Sequence, residues 1–158
     1  MSSASKFISK VMKEEDFISF CKETASLLSW NCDSYDTIVH LNYASSHYSS
    51  ALTQLFPNAL IIDIDCAKEA VTIQEENPNI IFHHSNIEDS DSFSRMKTTK
   101  LLSYQCFVCL KDQKTSFKLV YDMLKENGSA AFCFLMHCPY FTLMSILSQH
   151  NEWKQYVK

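Results

Sequence analysis

Glycine is nearly absent from this chain. Gly128 is the only one in 158 residues, where an average protein carries about 7%. Glycine is the default wherever backbone takes positive φ or a ligand comes close to the main chain, so this chain has few ways to build a close-fitting phosphate or cofactor loop. Long apolar runs are missing too. No stretch approaches the roughly 18 apolar residues of a bilayer span, and the opening MSSASKFISKVMKEED lacks the continuous apolar segment of a secretory signal. The expectation is a cytoplasmic protein with no membrane association. Basic clusters are also lacking, and a net charge of −4 points away from nucleic-acid partners. Cysteine is plentiful but odd in number, at seven, and Cys21, Cys106 and Cys133 lie in apolar runs where a reduced thiol acts as a small hydrophobe. That argues against a secreted disulfide framework. What remains, 46% hydrophobic and 20% charged, is the composition of one globular domain with its own core.

The stretch from Asp36 to Asp65 organises the rest. Thr37 to Leu41 reads as an apolar strand, Asn42 to Ser46 as a turn of small residues, and Tyr48, Ala51, Leu52 and Leu55 as one face of a helix. Ile61 and Ile62 then form a second strand running into Asp63. Strand, turn, helix and strand with a terminal carboxylate is the mononucleotide-binding half of a doubly wound α/β domain. In such a unit the turn offers backbone amides to a ligand, and an acid about 20 residues on takes ribose hydroxyls. The usual glycines are replaced by Asn42, Tyr43, Ala44, Ser45 and Ser46.

Residues 1–30 form an N-terminal helical segment with Phe17, Phe20, Cys21, Thr24 and Leu28 on one face and Glu14, Glu15 and Asp16 in an early turn. Residues 36–136 are the core. After the opening unit, the pattern predicts a helix over 66–76 with Ala67, Ala70, Val71 and Ile73 inward, and a strand over Asn79 to Phe82. A loop over 83–94 and a fourth strand near Lys100 to Leu110 follow. Next comes a helix marked by Phe117, Val120, Tyr121 and Leu124, closed by Lys125-Glu126-Asn127-Gly128. Ala130 to Met136 is a fifth strand, broken by Pro139, and a C-terminal helix occupies 139–158. The expected fold is a Rossmann-like, doubly wound parallel sheet of about five strands with helices on both faces.

With these elements placed, the chain resembles the class I methyltransferases that use S-adenosyl-L-methionine, and more narrowly the juvenile hormone acid methyltransferases of arthropods. The pieces that carry the resemblance are LLSW before the first strand, FKLVYDMLKENGSAAFCFL across the helix, turn and fifth strand, and ILSQHNEWKQYV near the end. The family's first motif, valine-leucine-aspartate-isoleucine-glycine-cysteine-glycine, falls on Val39, His40, Leu41, Asn42, Tyr43 and Ala44, with its third glycine on or beside Ser46. By resemblance the cofactor is S-adenosyl-L-methionine. Asn42, Tyr43 and Ala44 lie by its methionine end, Asp63 and Ile64 by its ribose, and Asn86 and Ile87 by its adenine. Cys106, Phe107 and Cys109 take the place of the family's cysteine-leucine-histidine-tryptophan and border the acceptor. The implied reaction is O-methylation of a small apolar carboxylic acid. No catalytic residue is assigned, and the chain stops before the last antiparallel strands that such enzymes usually have.

Each of these residues also has a plainer reading. Asp63 or Asp65 suits the N-cap of a helix starting near Cys66. His40, at the end of an apolar strand, reads as a buried histidine. Cys106 and Cys109 with Cys133, His137 and Cys138 have the residue types of a closed zinc site but no glycine-bearing knuckle, so no metal is expected. The eroded glycines support a second functional class: a catalytically inert methyltransferase paralogue that acts through a protein partner on an exposed sheet edge.

Overall fold

The computed structural model describes residues 13–31, 34–42, 47–65, 77–88, 93, 95–107, 110–135 and 139–156. The helix expected over 66–76 lies outside the described residues. The elements run α1 (Glu14–Leu27), β1 (Thr37–Leu41), α2 (His47–Leu55), β2 (Leu60–Asp65), β3 (Ile80–His84), β4 (Thr98–Tyr104), α3 (Gln113–Met123), β5 (Leu124–Cys133) and α4 (Pro139–Gln149).

All five strands are parallel, in the order β3-β2-β1-β4-β5. The chain builds outward from β1 to β3, returns to the other side of β1 and builds outward again to β5. The reversal between β1 and β4 is the point at which open α/β sheets form a ligand crevice, beyond the carboxyl ends of their strands. Alternation along the strands divides the core between two faces. Phe17 and Cys21 of α1 and Tyr48, Ala51 and Leu52 of α2 pack with Ile38, Ile61 and Leu102 on one side. Leu119, Val120 and Met123 of α3 pack with Val39, Leu41, Ile64 and Leu101 on the other. The sheet is doubly wound, as its sequence pattern predicts.

Several elements depart from expectation, among them α4, expected over 139–158 but ending at Gln149, and β5, which ends at Cys133 and not at Met136. Helix α1 ends at Leu27, and Leu28, expected on the inner face, is 39% exposed just beyond it. Strand β4 stops at Tyr104 instead of running on to Leu110. The segment Lys125 to Gly128, expected to close a helix, is a bulge in β5: Leu124 pairs with Thr98, and the next recorded pair is Ser129 with Lys100. Asn127 takes the left-handed conformation there (φ 61°), and Gly128 does not. Gly128 is needed for space, because a Cβ would stand 2.9 Å from the Lys125 carbonyl oxygen and 3.2 Å from that of Thr98.

Helix starts follow local chemistry. Asp112 caps α3, its Oδ1 accepting from the Thr115 N–H at 3.0 Å and its Oδ2 from the Thr115 hydroxyl at 2.7 Å. Acids fill the first turn of α1 as expected, and Pro139, with no N–H to satisfy, opens α4. No helix among the described residues is long and apolar enough to cross a membrane.

Candidate functional site at the carboxyl ends of β1 and β2

Parallel pairing of β1 with β2 sets His40 opposite Asp63 and Leu41 opposite Ile64. The Asn42 N–H extends the ladder to the Ile64 carbonyl at 2.9 Å. The end of the first strand and the predicted carboxylate are therefore neighbours. The orientation of that carboxylate is what the sequence reading did not anticipate. Strand β2 runs two residues past Asp63, to Asp65, and the Asp63 side chain points under α2. It is fully buried, as is His40. The Ser49 hydroxyl on α2 donates to Asp63 Oδ2, and His40 Nδ1 stands 3.6 Å from Oδ1. Neither imidazole nitrogen has a hydrogen-bond partner among the described residues, and the ring of Phe17 lies 5.4 Å away, centroid to centroid.

Burial is the largest influence on Asp63 and pushes its carboxyl above the usual carboxylate range. His40 and Asn42 pull it back down, and Asp65 pushes it further up. As placed, the group shows no surface to a ligand.

The other predicted residues divide. Asn42 is buried just past the end of β1, and Tyr43 and Ala44 lie outside the described residues. Ile64 and Ile87 are buried in the α3-side core with Leu41 and Phe93. Asn86 is exposed beyond β3, where its Oδ1 accepts from the Glu88 N–H at 3.1 Å in a tight side-chain turn. Cys106 and Phe107 are buried in the core, Phe107 against Phe117 and Phe132 at centroid distances of 4.4 and 4.9 Å. Cys109 lies outside the described residues, with His137 and Cys138. Cys106 packs in the α3-side cluster and Cys133 against the opposite one. No group of three metal-ligating side chains occurs among the described residues.

Two residues that tie loops to the sheet carry no clear mark in the sequence. Gln105, just past β4, is buried with φ 59°. Its Oε1 accepts from the Leu135 N–H at 3.1 Å, and its own N–H donates to the Cys133 carbonyl at 2.6 Å, clamping β4 to the end of β5. Glu88 Oε1 accepts from the N–H groups of Lys111 and Asp112 at 2.7 and 3.1 Å. These bonds, led by that from Asp112, hold its carboxyl below the ordinary range. The signal for Glu88 was present in Asn86-Ile87-Glu88, an Asx-type turn. Nothing local marks Gln105.

No family model matches this chain, and no curated protein matches it in sequence. Solved structures do resemble it. The plantazolicin methyltransferase BpumL in complex with SAH superposes with a TM-score of 0.67 at 14% identity, over 98% of this chain and 60% of that one. Coclaurine N-methyltransferase bound to N-methylheliamine and SAH gives 0.61 at 11% identity, over 73% of this chain and 35% of that one. A chain of the fibrillarin/Nop5p complex gives 0.56 at 18% identity, over 81% and 68%. At such identities the likeness is one of fold: the chain has the Rossmann-like architecture of the S-adenosyl-L-methionine-dependent methyltransferases. It spans only about a third to three-fifths of the length of the first two structures.

Proposed function

We propose that this domain binds S-adenosyl-L-methionine, or its demethylated product, at the crevice beyond β1 and β2, as a methyltransferase-like protein. The observation that carries this reading is the all-parallel 3-2-1-4-5 sheet, with its reversal beside β1, shared with methyltransferases whose structures hold SAH. The contacts we propose are the backbone from Asn42 through Tyr43 and Ala44 for the methionine end and the rim formed by Asn86 for the adenine, with Ile64 and Ile87 as apolar backing. The bound cofactor would supply an electrophilic methyl group. The protein's contribution to such chemistry is mainly positioning. From the resemblance in sequence, the acceptor we propose is a small apolar carboxylic acid, met near Cys106, Phe107 and Cys109, in a cytoplasmic setting.

A second reading rests on the edge of the sheet. Among the described residues β5 pairs only with β4, and Leu143 and Ile146 of α4 are 50% and 60% exposed. An open strand edge, together with uncovered apolar side chains on α4, suits an inert paralogue that works by binding another protein. Isothermal titration with SAH separates the two. Saturable heat with a Kd below about 100 μM supports the methyltransferase reading. A flat titration, unchanged after glycines are placed at 42, 44 and 46, removes it and leaves the partner reading.

A further inference from the structure

Helix α3 starts one acceptor short of a full cap. Its N-cap Asp112 accepts from the N–H and the hydroxyl of Thr115. In a complete capping box the residue at the Thr115 position is Glu or Gln, and its side chain reaches back to the N-cap N–H. Thr115 donates its hydroxyl to Asp112 instead. The missing acceptor comes from another part of the chain: Glu88 Oε1 takes the Lys111 N–H at 2.7 Å and the Asp112 N–H at 3.1 Å. Glu88 is itself held by Asn86, whose Oδ1 accepts from the Glu88 N–H at 3.1 Å and whose Nδ2 donates to Glu88 Oε2 at 3.5 Å.

Glu88 follows β3 and Asp112 follows β4, and in the sheet β2 and β1 lie between those two strands. At the usual spacing the two strand axes stand about 14 Å apart. The carboxylate closes that distance beyond the carboxyl ends of the strands. Ile87 and Leu110, next in sequence to the two ends of the clasp, are buried in one cluster with Leu41 of β1 and Ile64 of β2. The turn after β4 is tied a second time, because the Phe107 carbonyl accepts from the Leu110 N–H at 3.4 Å and from Gln113 Nε2 at 3.1 Å. We propose that Glu88 is a positioning residue, which clasps the rim carrying Asn86 to the start of α3 and so fixes one wall of the crevice. The proposal rests on the methyltransferase reading only for what that wall faces, the adenine end of the cofactor.

The test compares the full chain with its E88A and E88Q variants by amide hydrogen exchange and by titration with SAH. We expect E88A to speed exchange at the Lys111 and Asp112 amides roughly tenfold, because both lose a charged acceptor. E88Q keeps an uncharged oxygen in the same place and should fall between E88A and the parent. Where the parent binds SAH, E88A should weaken binding about three- to tenfold, because a wall fixed in advance must now be ordered on binding, and E88Q should weaken it less. Unchanged exchange at Lys111 and Asp112 in E88A would overturn the proposal. So would an E88A chain that binds SAH as tightly as a binding parent. Loss of SAH binding with both amides still protected would sink it as well, by making Glu88 a ligand. A parent that does not bind SAH removes the methyltransferase reading alone, and exchange at the two amides still decides whether the clasp exists. Should E88A not fold, E88Q carries the same exchange readout, and parent-like exchange there would count against the clasp.

Discussion

The sheet carries two acid–base pairs, at opposite ends, and they behave in opposite ways. At the amino ends of the strands Lys100 Nζ lies 2.5 Å from Asp36 Oδ2 and 2.9 Å from the Ser34 hydroxyl, with the Trp30 ring 5.9 Å away. The Asp36 side chain is 40% exposed. Its carboxyl is held below the ordinary range, first by the Lys100 hydrogen bond and then by Ser34, with burial opposing weakly. At the carboxyl ends His40 and Asp63 are wholly enclosed, and burial outweighs the histidine. One residue type is driven in two directions by a single variable, access to water. Where solvent reaches, a close cation favours the charged carboxylate; where it does not, the desolvation cost dominates.

Opening the enclosed pair to water should have the largest effect. Phe17 contacts His40, Tyr48 and Tyr104 and is fully buried, so Phe17→Ala should cost about 3–5 kcal/mol in urea unfolding. It should also shrink the pH slope that Asp63 contributes, as water enters. A loss under about 1 kcal/mol would show that this wall is not what seals the pair. Next comes Gly128→Ala. The added methyl has no room between two carbonyl oxygens, and the shift falls on Ser129, whose hydroxyl accepts from Trp30 Nε1 at 2.8 Å. A cost of roughly 1–3 kcal/mol is expected, with a changed Trp fluorescence reporting movement beside Lys100.

Asp36→Asn should matter least, under about 1 kcal/mol at neutral pH, because solvent screens the pair. Its pH signature runs opposite to that of Asp63→Asn. A lowered carboxyl stabilises the fold above the unfolded value and loses this as pH falls through the folded one. The Asp36 variant should therefore be less sensitive to acid than its parent in an acid-unfolding titration. If both Asp variants moved the profile in the same direction, water access would not be what separates the two sites.

The parts of the fold that were legible in advance are those where local pattern and tertiary role agree. Strand β1 came out with its bounds because an apolar run ends sharply at Asp36 and Asn42. The inner face of α2 came out because Tyr48, Ala51 and Leu52 repeat at helical spacing and are all buried. Lys125 to Gly128 misled because a basic residue and a glycine near a helix end are ordinary stop signals, whereas here they build a bulge against Thr98. The register of Asp63 in its strand was legible too, but sequence says nothing of what stands over a side chain, and Ser49 is 14 residues away.

Composition and periodicity alone determined an α/β fold with a parallel sheet and no glycine-built ligand loop, because those properties follow from residue types and their spacing. Only the tertiary structure decided which carboxylate meets solvent and which is sealed. That depends on the distance to neighbours from other elements and on the water they exclude, and neither is written in any one segment.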